Sequence, residues 1–241
     1  MKTRRSCTIP RLAFLLALMV LLGLTATAVA QNRTTRFSEH LIKDGYAYSF
    51  GIAAGDLNGD GHIDLTSADA LPHNRLYWFE NDGKGNFTQH VIEKNYPERL
   101  ERHAIGDING DGRPDVVIIE NLRGDVLWYE NIGKPGNGTQ SKKHIVADAF
   151  DHAFEAVAAD LNGDGRVDVA ATAWGPGGRV VWFENLGDPR GKWKTHELKT
   201  NWSRANQIII ADFNGDGRPD LAAGAERGAN EIRWWRNEGS K

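Results

Sequence analysis

Four copies of the segment Asp-x-Asn-Gly-Asp-Gly-x-x-Asp carry the most chemically informative residues of this sequence. The copies begin at Asp56, Asp107, Asp160 and Asp212, at intervals of 51, 53 and 52 residues. Each copy brings three carboxylates and an amide into one short loop, where like charges repel one another unless a cation lies between them. Ca²⁺ prefers about six to eight hard oxygen ligands. The pattern therefore predicts four calcium loops and about four bound Ca²⁺ ions.

Each residue of the segment has an expected role. Side-chain oxygens at positions 1, 3 and 5 and the backbone carbonyl at position 7 would face the ion, and the Asp at position 9 could bind with both oxygens. Glycine at position 6 permits the sharp turn. The candidate metal ligands are Asp56, Asn58, Asp60, His62 and Asp64 in loop 1; Asp107, Asn109, Asp111, Arg113 and Asp115 in loop 2; Asp160, Asn162, Asp164, Arg166 and Asp168 in loop 3; and Asp212, Asn214, Asp216, Arg218 and Asp220 in loop 4.

Two other kinds of loop could explain the same residues. An EF-hand requires Glu at position 12 of its loop, and that position holds Ser67, Ile118, Ala171 and Ala223 here. Metal-free Asn-Gly and Asp-Gly hairpin turns would explain the glycines, but they do not need three carboxylates in every loop.

Two further elements recur in register with the loops and predict the fold. A Trp-x-x-Asn element begins at Trp78, Trp128, Trp182 and Trp234, and an apolar/polar alternating element precedes each loop. Short β-favouring runs flank the loops, and residues 31–241 show no helical periodicity. About 52 residues with four short strands is the unit of a propeller blade. The four aligned Trp side chains are expected to pack in the joints between blades, since one aromatic side chain buries a large area. We therefore expect one all-β domain over residues 31–241, a β-propeller of four four-stranded blades with repeats at about 36–86, 87–141, 142–191 and 192–241.

The ends of the repeat array predict how it closes. The array opens with the alternating element at residues 37–42 and stops after the fourth Trp-x-x-Asn element. Residues 37–42 are therefore predicted to be a strand that could pair with the last blade and remove two open edges. A closed four-bladed ring, an open array, and two chains that together complete a larger ring all remain open.

These motifs resemble FG-GAP/VCBS-type repeats, the blades of integrin α-chain propellers and of many secreted bacterial proteins. The resemblance covers roughly residues 36–238 and includes Gly83, Gly85 and Phe87 of a Gly-x-Gly-x-Phe sequence. It implies propeller blades with metal loops and says little about function. Family propellers usually have about seven blades, whereas this chain has four.

The amino terminus predicts export. Basic residues precede an apolar run over residues 12–24, and Ala28 and Ala30 supply a small-x-small pattern, so residues 1–30 are interpreted as a signal peptide. The run is too short to span a membrane, and no membrane span is expected after cleavage. The predicted location is secreted, either periplasmic or extracellular.

Composition excludes several classes of protein. The net charge of −3 lacks the basic excess of a dedicated nucleic-acid binder. Cleavage after Ala30 would remove four of the 29 basic residues and no acid, and so leave a net charge of −7. The single cysteine, Cys7, excludes a disulfide scaffold.

The loops opposite the predicted metal sites vary between repeats and are the expected ligand face. Aromatic residues beside Arg, Asn and acids suit sugar or peptide recognition. The candidates are Tyr48, His73, Arg102, His103, His152, Glu155, Trp174, Trp202 and Arg204. The leading hypothesis is a noncatalytic protein that binds a glycan or an extracellular protein. The alternatives are a polysaccharide lyase or hydrolase, and a structural module that assembles with itself as a homo-oligomer.

Overall fold

The computed structural model of the chain describes residues 35–70, 72–133 and 141–239. The chain divides into two compact units, residues 1–40 and residues 41–241. Within the first unit, the described residues 35–40 form neither helix nor strand. The predicted signal peptide lies outside the described residues. No helix in the described part of the chain is long and apolar enough to cross a membrane.

The described residues of the second unit form fifteen strands in four antiparallel sheets, each sheet ordered along the chain. Blade 1 contains β1 (Ser49–Gly55), β2 (Asp64–Asp69), β3 (Arg75–Asn81) and β4 (Phe87–Glu93). Blade 2 contains β5 (Leu100–Gly106), β6 (Asp115–Glu120), β7 (Val126–Asn131) and β8 (Ser141–Ala147). Blade 3 contains β9 (Ala153–Ala159), β10 (Asp168–Ala173), β11 (Arg179–Glu184) and β12 (Lys194–Lys199). Blade 4 contains β13 (Ala205–Ala211), β14 (Asp220–Ala225) and β15 (Glu231–Trp235).

This architecture confirms the predicted all-β, four-bladed propeller arrangement. The sheets are offset by one strand from the sequence repeats, because the alternating element that opens each later repeat is the fourth strand of the preceding sheet. For example, β4 opens the second repeat and pairs with β3, with Trp78 opposite His90.

The predicted strand over residues 37–42 is wrong. These residues are irregular, and the side chain of Phe37 is almost fully exposed. The fourth sheet contains three strands, so β15 has no partner on its outer side in the described residues. The alternating pattern alone did not make a strand, because a strand also needs a neighbour that completes its hydrogen bonds.

The core consists of three apolar clusters, one at each joint between consecutive blades. At the first joint, Leu57 and Trp78 of blade 1 pack with Val116 and Ile118 of blade 2. The prediction that the Trp residues fill the joints is confirmed for Trp78 and Trp128, which are fully buried, and for Trp182, which packs against the third cluster. It is wrong for Trp234, which is 51% exposed.

Candidate functional site

The four acidic loops share one hydrogen-bonded conformation. In loop 1 the Asp56 carboxylate accepts the backbone N–H groups of Gly59 at 2.8 Å and Gly61 at 2.9 Å, and Asp60 accepts that of His62 at 2.8 Å. Both glycines have positive φ, 75° and 87°, which a side chain would resist. The sequence folds this way because each short acidic side chain caps the turn that follows it.

The Asp at position 9 is fully buried in every loop and joins the loop to the third strand of its blade. In blade 2, one Asp115 oxygen accepts the Ile108 N–H at 2.9 Å and the other accepts the Asn131 N–H at 2.7 Å. Burial is the main cause that raises the pKa of Asp115 to about 7, and the nearby Asp111 and Asp107 add to it. The pKa of Asp168 is raised to about 6 for the same reasons. A cation close to these carboxylates would oppose this rise.

The arginine at position 7 is a feature that the sequence interpretation missed. In loop 2, Arg113 donates from Nε to the Asn131 carbonyl at 2.8 Å and forms an ion pair with Asp111. Arg166 and Arg218 make the equivalent contacts in loops 3 and 4. Loop 1 has His62 at this position. The recurrence of Arg at position 7 was the available signal, but only its backbone carbonyl had been assigned a role.

The donor set of each loop suits calcium in its chemistry. Carboxylates at positions 1 and 5, an amide at position 3 and a carbonyl at position 7 are all hard oxygen donors. Among the residues that the structure describes, however, no group of three or more His, Cys, Asp or Glu side chains is arranged to hold a metal ion. The candidate ligands of each loop therefore share one turn, but within the described residues they are not arranged around an ion position. Calcium binding by these loops is a proposal.

A chain of side chains connects each acidic loop in blades 1 and 2 to the outer strand. In blade 2, Asn109 donates to Glu130 at 3.3 Å, the His144 Nε2 atom lies 2.7 Å from Glu130, and His144 stacks on Trp128 with ring centres 4.6 Å apart. Blade 1 repeats it with Asn58, Glu80, His90 and Trp78. The sequence pattern identifies the Trp-x-x-Asn element and the alternating element, which contains the His. It does not show that the Glu connects them.

A cavity of about 820 Å³ lies between the outer strand of blade 2 and blade 3. Four basic side chains and one carboxylate line it, together with aromatic rings: Lys143, Arg179, Arg190, Lys192, Asp148, Phe150, Phe183 and Trp193. Arg190 also donates from Nε to Glu130 at 3.0 Å, which fixes the loop after β11 against blade 2. We call this the joint cavity. No sequence motif predicted it.

Two smaller cavities are lined by four of the nine predicted ligand residues. A cavity of about 470 Å³ is lined by His152, Arg179 and the turn at residues 175–178. Beside that turn, Arg204 lies 4.3 Å from the Trp174 ring centre, and the Trp174 Nε1 atom donates to Glu226 at 3.0 Å. Because Arg179 also lines the joint cavity, the two cavities adjoin.

The third cavity, about 300 Å³, brings together Arg102, His103 and Glu155. The Arg102 guanidinium lies 4.6 Å from the Phe50 ring centre and 3.7 Å from that of Phe154. Burial raises the pKa of Glu155, and burial lowers the pKa of His103, which favours its neutral form.

The remaining predicted ligand residues lie elsewhere. Tyr48 stacks on Phe50 beside the third cavity at 5.2 Å. His73 is exposed in the turn between β2 and β3 and lines none of these three cavities. Trp202 is buried against Trp235 in the joint between blades 3 and 4, so its ring offers no surface to a ligand.

Comparisons with curated proteins place the repeats in a wider context. The T-cell immunomodulatory proteins of Mus musculus and Rattus norvegicus are 28% identical over 195 residues and 27% identical over 205 residues. The alignments cover 73% and 77% of this chain but only 29% and 31% of those proteins.

Comparisons with solved structures concern the fold. An Agrocybe aegerita lectin that recognises non-reducing terminal N-acetylglucosamine matches with a TM-score of 0.52 and 19% identity, over 77% of this chain and 49% of the lectin. An exotype rhamnogalacturonan lyase matches with a TM-score of 0.48 and 15% identity, over 82% of this chain and 38% of the lyase.

The family model of the FG-GAP-like repeat matches residues 56–118, 107–171 and 161–223. These matches begin at or beside the acidic loops and together cover more than half of the chain. The chain belongs to the family of FG-GAP-like repeat proteins.

Proposed function

We propose that this protein is a secreted, calcium-binding, noncatalytic β-propeller that binds an acidic glycan in the joint cavity. The observation that carries the proposal is the lining of that cavity, in which four basic side chains outnumber one carboxylate beside aromatic rings. Three of these bases also pair with carboxylates outside the lining, whereas Lys192 has no ion pair among the described residues. The pairs are Arg190 with Glu130, Arg179 with Glu197 at 3.4 Å, and Lys143 with Glu93 at 3.9 Å.

The size and chemistry of the joint cavity support a saccharide. Ligand cavities usually measure about 300–1,000 Å³, and this one measures about 820 Å³. Arg179 offers a planar set of donors that suits a carboxylate or a sulfate, and Lys192 offers a compact charge. Trp193, half-buried and held by a hydrogen bond from its Nε1 atom to the Pro189 carbonyl at 3.0 Å, supplies an apolar wall.

The fold is compatible with this role. The lectin that matches this chain recognises a terminal N-acetylglucosamine on a similar arrangement of strands. The proposed calcium ions would have a structural role in the loops at the blade joints, and extracellular calcium modules often bind with a Kd of about 10⁻⁴–10⁻³ M.

Binding to a glycan array, followed by calorimetric titration of a uronate oligosaccharide, tests the proposal. Arg179→Ala and Lys192→Glu should each weaken binding about tenfold or more, because each removes a charge-assisted contact. Lys84→Glu makes the same change in net charge as Lys192→Glu at an exposed turn outside the cavity, and should bind like the wild type. Equal binding by all variants, or no retention of any acidic glycan, would contradict the proposal.

A polysaccharide-active enzyme is the alternative, and the third cavity is its best location. Glu155 with a raised pKa beside Arg102 is the observation in its favour. The imidazole there, His103, is buried and has its Nδ1 atom 3.2 Å from the Glu101 carbonyl, which leaves it poorly placed to reach a substrate. Turnover of a polysaccharide that Glu155→Gln abolishes would favour the enzyme.

A further inference from the structure

The three joints between blades share one side-chain contact. The Asn that ends each Trp-x-x-Asn element donates from Nδ2 across the joint. Its acceptor is the backbone carbonyl at position 2 of the acidic loop in the preceding blade. Asn131 donates to the Leu57 carbonyl at 2.6 Å, Asn185 to that of Ile108 at 3.0 Å, and Asn237 to that of Leu161 at 2.7 Å.

A second contact also recurs at every joint. An aromatic residue before the first strand of a blade donates its backbone N–H to the turn between the second and third strands of the preceding blade. Tyr96 donates to Asn74 at 3.2 Å, Phe150 to Gly124 at 2.7 Å, and Trp202 to Gly178 at 2.7 Å. All three aromatic side chains are buried. The residue before each aromatic has positive φ, so the chain turns in the same way at each joint.

Blade 1 presents both donors without their partners. Asn81 donates from Nδ2 to the Ile63 carbonyl of its own blade at 3.0 Å, and within the described residues it has no acceptor across a joint. Tyr46 follows Gly45, whose φ is 69°, and its backbone N–H has no hydrogen bond in the described part of the chain. Ile52, whose counterpart Ile208 is buried, is 70% exposed.

Blade 4 presents the matching acceptors. Phe213 occupies position 2 of the last loop, and it is 46% exposed where its counterparts Leu57, Ile108 and Leu161 are buried. Asn230 lies in the turn before β15 with a positive φ of 51°, as Asn74 does before β3 with a φ of 40°. Ile232 and Trp234 expose an apolar surface between these two acceptors.

We propose that two copies of this chain join head to tail, with blade 4 of each copy packed against blade 1 of the other. In this joint Asn81 donates to Phe213 and Tyr46 donates to Asn230, so the new interface continues the three joints already present. A head-to-tail interface closes into a ring when its rotation permits, and two identical joints then give eight blades.

Disulfide crosslinking between two separately mutated chains tests the proposal directly. Cys7, the only native cysteine, is first replaced by Ser. Asn81→Cys and Phe213→Cys are then made on separate chains, oxidised alone, and oxidised as a mixture. The expected result is a covalent dimer in the mixture only. Leu57→Cys with Asn131→Cys in one chain calibrates the geometry, because the structure places this pair across an existing joint.

Other outcomes would overturn the proposal. A disulfide within a single chain that carries both Asn81→Cys and Phe213→Cys would show that one copy closes on itself. A dimer from Phe213→Cys alone would show a symmetric pairing of blade 4 with blade 4.

Light scattering provides an independent test without a crosslink. The wild-type chain should have twice its monomer mass, and Asn81→Ala with Phe213→Asp should reduce it to the monomer mass while circular dichroism still shows the folded strands. Asn185→Ala, which alters an internal joint, should lower the melting temperature and leave the dimer intact. A monomeric wild-type chain at micromolar concentration would contradict the proposal.

Discussion

Blade 2 and blade 4 share the same repeat motifs but differ in how those motifs are used. In blade 2, Trp128 is fully buried and stacks on His144, whose Nε2 atom lies 2.7 Å from the Glu130 carboxylate. In blade 4, Trp234 is half-exposed and contacts Phe213 edge-on at 6.1 Å. Blade 2 has a fourth strand and a following blade, whereas blade 4 has neither in the described residues. The motif therefore specifies the blade, and its neighbours determine how much each residue stabilises it.

The largest expected difference between the two blades concerns tryptophan. Trp128→Ala should lower the free energy of unfolding by about 3–5 kcal/mol, because it leaves a cavity in a packed joint. Trp234→Ala should lower that of the monomer by less than about 1 kcal/mol, since half of its surface already contacts solvent. Denaturant unfolding of each variant as a monomer, in the background that carries both Asn81→Ala and Phe213→Asp, measures both values. Equal losses would contradict the contrast between the blades.

Calcium removal should have the next largest effect. At a free calcium concentration about 100-fold above Kd, each occupied loop contributes about 2.7 kcal/mol, so a chelator should lower the melting temperature. Asp107→Ala in blade 2 should reduce this response more than Asp212→Ala in blade 4, because loop 2 lies in a joint and loop 4 at an open end. Differential scanning calorimetry with and without chelator measures the response. Identical melts would show that the loops hold no structural ion.

The carboxylate of Glu130 should give a pH-dependent contribution that blade 4 lacks. Arg190 foremost, together with His144, lowers the pKa of Glu130 from 4.5 to about 2. A lowered folded pKa stabilises the protein above pH 4.5, and that stabilisation is lost as the pH falls toward 2. Glu130→Gln should therefore lower the free energy of unfolding by about 1.5–3 kcal/mol at neutral pH. The difference in this free energy between the variant and the wild type should shrink in acid.

Blade 4 supplies the control for this pH effect. Arg236 takes the place of Glu130 there, so Arg236→Gln should change stability by less than about 0.5 kcal/mol at either pH. Urea unfolding across the pH range measures both variants. A difference between Glu130→Gln and the wild type that stays constant down to pH 2 would contradict the assigned ion pair.

Much of the fold could be predicted from the sequence, because each blade repeats its own short-range pattern. The acidic turns, the alternating strands and the joint positions of Trp78 and Trp128 all follow from residues close together in the chain. The two wrong predictions share one cause, because each depends on a neighbouring strand that the local pattern does not reveal. Residues 37–42 carry a strand pattern without a strand, and Trp234 carries a core motif without a covering strand.

The candidate sites were harder to predict than the fold. The acidic loops were identified because each is contiguous, but the ion pair between Arg113 and Asp111 depends on a side-chain conformation. The joint cavity brings Lys143 and Lys192 together from two blades, so no local motif marks it. Trp202 was chosen as a ligand residue for its aromatic ring in a variable loop, and the structure shows that the ring fills a joint.

Native mass spectrometry in millimolar calcium tests calcium binding by the acidic loops most directly, because it counts the bound ions. We expect four Ca²⁺ per chain, and three after the paired substitution Asp107→Ala and Asp111→Ala removes two ligands from loop 2. The metal-free mass in wild-type protein under the same conditions would contradict the account.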